Sequence, residues 1–87
     1  MRSPNPIHPG RMLLEEFLLP VGTSQRAFAA RIGWTVAKLN ELVKGKRGVT
    51  ADSALDLAEH LGTTPELWLN LQMHHDLAKA EERRRAS

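Results

Sequence analysis

Apolar residues recur along this chain at helical spacing, interrupted by short polar stops. Met12, Leu13, Phe17 and Leu18 keep the rhythm of one helix face until Pro20 and Gly22 end the run. Pro9 suits a first helical turn, where its missing N–H would have had no partner anyway. Ser24 can cap a second helix that carries Ala27, Phe28 and Ile32 inward, and Gly33 supplies the positive φ often needed just past a helix end. Thr35 can cap a third helix with Leu39, Leu42 and Val43 on its apolar side. Thr50 opens a fourth, with Ala54, Leu57, Ala58 and Leu61 in one stripe before Gly62. Thr64-Pro65-Glu66 opens a fifth in the order N-cap, first-turn proline and early acid, which suits the helix dipole. Nothing alternates with period two over a useful length. The pattern predicts an all-α chain of five helices.

The fifth helix carries more apolar surface than one buried face requires. Leu67, Trp68, Leu71 and Ala78 fall near one stripe, whereas Leu69, Met73 and Leu77 fall on another. A helix apolar on two sides wants two covers. The first is the domain's own core, and the second is expected to be a partner chain, making Leu69, Met73 and Leu77 the candidate homodimer interface. Internal packing of both stripes is the competing reading.

Length and composition support that picture. At 87 residues the chain is one domain, expected over 1–80, with a charged tail over 81–87 that is expected to fray. So small a domain buries only roughly 60 % of its unfolded surface, and oligomerisation adds burial. Cysteine is absent, which excludes disulfides and thiolate-rich metal sites. No apolar run approaches the roughly 20 residues of a membrane span. Residues Met1 to Gly10 hold Pro4, Pro6 and Pro9 and lack the apolar stretch of a signal peptide. A cytoplasmic location with no membrane partner is expected.

Charge is unevenly distributed. From Ser24 to Gly48, six basic residues (Arg26, Arg31, Lys38, Lys44, Lys46, Arg47) face only Glu41, a net +5. From Thr50 to Glu82, seven acids (Asp52, Asp56, Glu59, Glu66, Asp76, Glu81, Glu82) face only Lys79, a net −6. One third of the chain suits a polyanion and another repels it.

The basic third also has the marks of a helix-turn-helix from Ser24 to Val43, formed by the second and third helices. Ala29 is the small residue that close packing of the first helix demands. Gly33 makes the turn without a Cβ, and Leu39 and Leu42 pin the second helix to the core. In such a motif the exposed start of the second helix enters the major groove of double-stranded DNA. Thr35, Val36, Ala37, Lys38, Asn40 and Glu41 are then the candidate base readers. Lys38 suits guanine O6 or N7, Asn40 an adenine edge, and Val36 and Ala37 thymine methyls. Glu41 either accepts from a cytosine amino group or turns to Lys38 or Lys44. Gln25, Arg26, Lys44, Lys46 and Arg47 are the candidate phosphate contacts, the first two at a helix N-terminus and the rest in or beside a glycine-flanked loop.

The chain resembles the HigA-type antitoxins, a branch of the lambda-repressor-like (XRE) helix-turn-helix group. His8-Pro9-Gly10 followed by Leu13-Leu14-Glu15-Glu16-Phe17-Leu18 is similar to that family's first helix. Gly45-Lys46-Arg47-Gly48-Val49-Thr50-Ala51-Asp52 resembles the linker after its recognition helix. Leu61-Gly62-Thr63-Thr64-Pro65-Glu66-Leu67-Trp68-Leu69-Asn70-Leu71-Gln72 resembles its terminal-helix signature, so the likeness spans about His8 to Lys79. It implies a five-helix lambda-repressor-like domain acting as a dimeric repressor on a palindromic operator in its own promoter. It also implies a HigB-like, mRNA-cleaving toxin that the chain holds inactive, and no catalysis or cofactor of its own. Trp34 departs from the family, which more often has a smaller aliphatic there. Arg11 replaces a residue that is commonly acidic. Toxin-binding residues have no motif to carry over.

Other classes remain open on the residues alone. A stand-alone XRE-type repressor without a toxin has the same fold. A pure protein-interaction module would treat the basic helix as a solvated face. The Arg83-Arg84-Arg85 run is read as a solvated end, with DNA or an acidic partner as the alternative. His74-His75-Asp76 invites a metal or acid–base reading with His60 or Glu66. Adjacent histidines, however, point to different sides of a helix, unlike the i, i+4 pair of a zinc helix.

Overall fold

A computed structural model describes residues 7–86. Within them the chain forms five helical elements and no strand. The first helix, α1, begins as Pro9–Met12 and continues unbroken through a π-helical segment, Leu13–Leu18, and a 3₁₀ turn, Leu19–Val21. Pro20 explains the widening. It has no N–H, and its ring would collide with the carbonyl four residues back in a regular helix. Ahead of it the Leu19 N–H reaches Leu14 O, five residues back, and Gly22 at φ 69° closes the helix.

The remaining helices start where the sequence predicts, and the fifth runs on to Ala86, through residues expected to fray. α2 spans Gln25–Ile32, with Ser24 Oγ accepting the Ala27 N–H at 3.1 Å. α3 spans Val36–Val43, with Thr35 Oγ1 accepting the Lys38 N–H at 3.0 Å. α4 spans Ala51–Leu61 behind the Thr50 cap, and α5 spans Pro65–Ala86 behind the Thr64 cap. Each of these caps satisfies one otherwise orphaned backbone N–H, typically contributing about 1 kcal/mol. Gly33 at φ 79° turns the chain between α2 and α3.

The core gathers Leu13 and Leu18 of α1, Phe28, Ala29 and Ile32 of α2, Leu39 and Leu42 of α3, Ala54 and Leu57 of α4, and Trp68 of α5. Ala29 is buried as its packing role requires. Ala27 is not: it is exposed, contrary to expectation. The inward edge of α2 is set by Phe28, Ala29 and Ile32, and Ala27 lies one residue outside it. Trp68 donates its indole N–H to Thr63 Oγ1 at 2.8 Å and meets the Phe17 ring at 5.5 Å, joining α1 to the start of α5.

Two close approaches set the height of α3 above the core. Gly10 is buried beneath the end of α3, where a Cβ would stand 1.7 Å from the Leu42 carbonyl oxygen. Gln72 of α5 accepts the Val49 N–H at 2.7 Å, tying down the segment that leaves α3. Beyond Trp68, α5 has no fully buried residue. Leu69, Met73 and Leu77 are 37 %, 46 % and 39 % exposed, and the charged residues from Glu81 continue the helix to Ala86. The expectations for residues 1–6 and Ser87 lie outside the described residues.

Candidate nucleic-acid interface

The paired helices α2 and α3 place their polar residues according to the capping and burial just described. Because Leu39 and Leu42 bind α3 to the core, Thr35, Val36, Ala37 and Glu41 stand exposed on its other side. Val36 is 44 % exposed despite being apolar. Thr35 already uses its hydroxyl oxygen as the cap. Lys38 is half-buried, its ammonium over the Trp34 ring at 4.4 Å from the centroid. Asn40 is half-buried too, and its side-chain amide donates to Gln25 Oε1 at 3.1 Å. A residue expected to read bases is thereby joined to one expected to grip phosphate.

The segment after α3 folds back on the helix. Gly45 at φ 75° reverses the chain, and the Lys46 N–H reaches Glu41 O at 2.8 Å. This reversal brings the Arg47 guanidinium to Glu41 Oε1 at 2.8 Å, with a second donor at 3.2 Å. Glu41 therefore turns to Arg47 rather than to Lys38 or Lys44. Both side chains remain about half exposed. Lys44, Lys46 and Arg26 are exposed. Helix α2 also offers the free N–H groups of its first turn beside Gln25 and Arg26.

Two contributions were not visible in the chain's periodicity, and a third lies at its i, i+4 spacing. Trp34 is buried to 9 % exposure and donates its indole N–H to Asp56 Oδ2 of α4 at 3.0 Å. Gln72 anchors the loop from the far side of the domain. Arg11, unusual for the family, pairs with Glu15 one turn along at 2.6 Å. His75 and Asp76 lie beside His8 rather than His60 or Glu66, and among the described residues no group of three His, Cys, Asp or Glu side chains is placed to hold a metal ion. Among the same residues no helix is long and apolar enough to cross a membrane.

Two capped eight-residue helices about a glycine turn, inside a five-helix domain, define a helix-turn-helix protein. The helix-turn-helix family model matches residues 14–68. Antitoxin HigA-1 of Vibrio cholerae is 44 % identical over 73 residues, covering 83 % of this chain and 68 % of that protein. Among solved structures, the Pseudomonas aeruginosa antitoxin HigA with the higBA promoter superposes at a TM-score of 0.87 with 35 % identity, covering 91 % of this chain and 86 % of the other. Antitoxin GraA in complex with its operator gives a TM-score of 0.83 and 46 % identity over 90 % of this chain and 79 % of the other. The chain belongs to this helix-turn-helix family, in its HigA-type antitoxin branch.

Proposed function

We propose that this chain is a sequence-specific DNA-binding antitoxin that represses its own operon as a dimer and neutralises a HigB-like, mRNA-cleaving toxin. The observation that carries the DNA half is the exposed outer side of α3 lying beside the fold-back Lys44–Arg47 loop, in a segment of net charge +5. Solved relatives of the same fold are complexes with promoter or operator DNA. The toxin half is supported by the antitoxin names of those relatives.

In this reading α3 enters the major groove with Val36, Ala37, Lys38 and Asn40 toward base edges and Thr35 at its mouth. Gln25, Arg26, Lys44 and Lys46 grip phosphates, while Glu41 holds Arg47 at the groove's rim. Leu69, Met73 and Leu77 cover the same stripe of a second chain, and the dimer spaces two α3 helices on a two-fold operator. The acidic α4 and the early part of α5 stay turned from the duplex. A cytoplasmic site of action follows from an operator and an mRNA-cleaving partner.

Coexpression with the product of the adjacent reading frame tests this. The expected result is rescue of growth from that product, copurification of the two proteins, and binding of the pair to promoter DNA. A neighbour that neither slows growth nor copurifies, together with retained promoter binding, would leave the stand-alone repressor.

A further inference from the structure

Trp34 stands in the turn between α2 and α3 and is held at both ends. Its backbone N–H donates to Ala29 O at 2.9 Å, and its indole N–H to Asp56 Oδ2 at 3.0 Å. A ring so tethered presents its face in one orientation. Over that face lies the Lys38 ammonium, 4.4 Å from the centroid. Lys38 is half-buried, whereas Thr35, Val36, Ala37 and Glu41 around it on α3 are exposed. A lysine at an exposed helix position samples many rotamers, and ordering it on binding opposes affinity. Here the indole does that ordering in the free protein.

We infer that Trp34, aligned by Asp56, is the positioning residue for Lys38 in DNA recognition. The inference rests on the DNA-binding reading above. The ring quadrupole attracts the ammonium and the lysine stem covers the ring, so Lys38 meets the duplex from one place rather than many. A tryptophan serving only as core would stabilise the fold without being coupled to Lys38. An indole that competed with DNA for the ammonium would act with the opposite sign. Direction and coupling together are therefore diagnostic.

The test combines Trp34→Leu, Trp34→Phe and Lys38→Met, singly and in pairs. The binding probe is a duplex selected by the wild-type protein from a random-sequence pool, and proton NMR follows the free proteins. In the free wild-type protein the Lys38 side-chain methylene resonances should be shifted upfield by the indole and should return in Trp34→Leu. Trp34→Leu should weaken binding about 2- to 5-fold when Lys38 is present and leave it unchanged in Lys38→Met. Trp34→Phe, which keeps a ring face but cannot donate to Asp56, should fall between. If Trp34→Leu does not fold, the Trp34→Phe and Lys38→Met cycle reads the same coupling. Additive effects, tighter binding by Trp34→Leu, or unshifted Lys38 resonances overturn the inference while leaving DNA binding intact. Failure of the wild-type protein to select any duplex overturns the DNA reading itself and this inference with it.

Discussion

The Asn40 side-chain amide donates to Gln25 Oε1 at 3.1 Å, joining the outer sides of α3 and α2. The bond fixes which way Asn40 presents its remaining amide donor and acceptor. In the proposed complex, the orientation of α3 on a duplex then depends on a residue at the start of the other helix.

Asn40→Ala should therefore change base preference at one operator step by about 1–3 kcal/mol. Gln25→Ala should lose part of the same preference, and should also weaken binding to every sequence if Gln25 grips phosphate as proposed. Competition binding against a set of single-base-substituted duplexes separates the two effects. Unchanged preference in both variants would mean that α3 is turned differently in the groove.

The Glu41–Arg47 pair makes a second prediction, of opposite sign. Glu41→Gln releases a half-exposed guanidinium and removes a negative charge near phosphate, so binding to all sequences should tighten by about 0.2–1 kcal/mol. Neutralising Lys46 should weaken binding uniformly and reduce the slope of log K against log salt by about one. Binding measured over a salt series checks both. A loss of preference at a C·G step in Glu41→Gln would show Glu41 reading a cytosine amino group instead.

Gly10→Ala should destabilise the fold. Its Cβ would meet Leu42 O at 1.7 Å and Val43 Cα at 2.9 Å, both backbone atoms of α3. Such overpacking costs about 1–3 kcal/mol. In a domain of this size, thermal unfolding should then fall by roughly 4–8 °C for each kcal/mol. Calorimetry gives the answer directly.

His8 supplies a pH dependence. Its Nδ1 accepts the Gly10 N–H at 3.0 Å, capping α1, and its ring stands edge-on to His75 at 4.7 Å. Burial, and then the neighbouring His75, lower its pKa below the ordinary 6.5, while Asp76 raises it and Lys79 lowers it less strongly. The unfolded chain takes up this proton near the ordinary value and the folded one only at lower pH. The His8 contribution is thus complete above 6.5 and declines as pH falls below it. His8→Asn keeps a capping oxygen without the titration. Between about pH 7 and about pH 5 the variant should lose less stability than the wild-type protein, as read by denaturant unfolding.

Much of this architecture is legible in the sequence because it is local. Ser24, Thr35, Thr50 and Thr64 cap the helices that follow them, and Gly33 turns where a Cβ would be strained. The misreadings come from tertiary placement. Glu41 finds Arg47 because the left-handed turn at Gly45 swings the loop back, which spacing along α3 does not convey. Trp34 and Asp56 lie 22 positions apart, and Val49 and Gln72 lie 23 apart, so no periodicity links them. Gly10 did leave a signal. A glycine in the first turn of an otherwise good helix implies that another backbone comes close.

Titration of the wild-type protein onto a duplex from its own promoter and onto a scrambled duplex, from about 50 to about 200 mM salt, tests the central claim most directly. The account predicts preference for the promoter duplex, two chains per site, and affinity that falls linearly in log K against log salt. Equal affinity for the two duplexes, or affinity indifferent to salt, would contradict it.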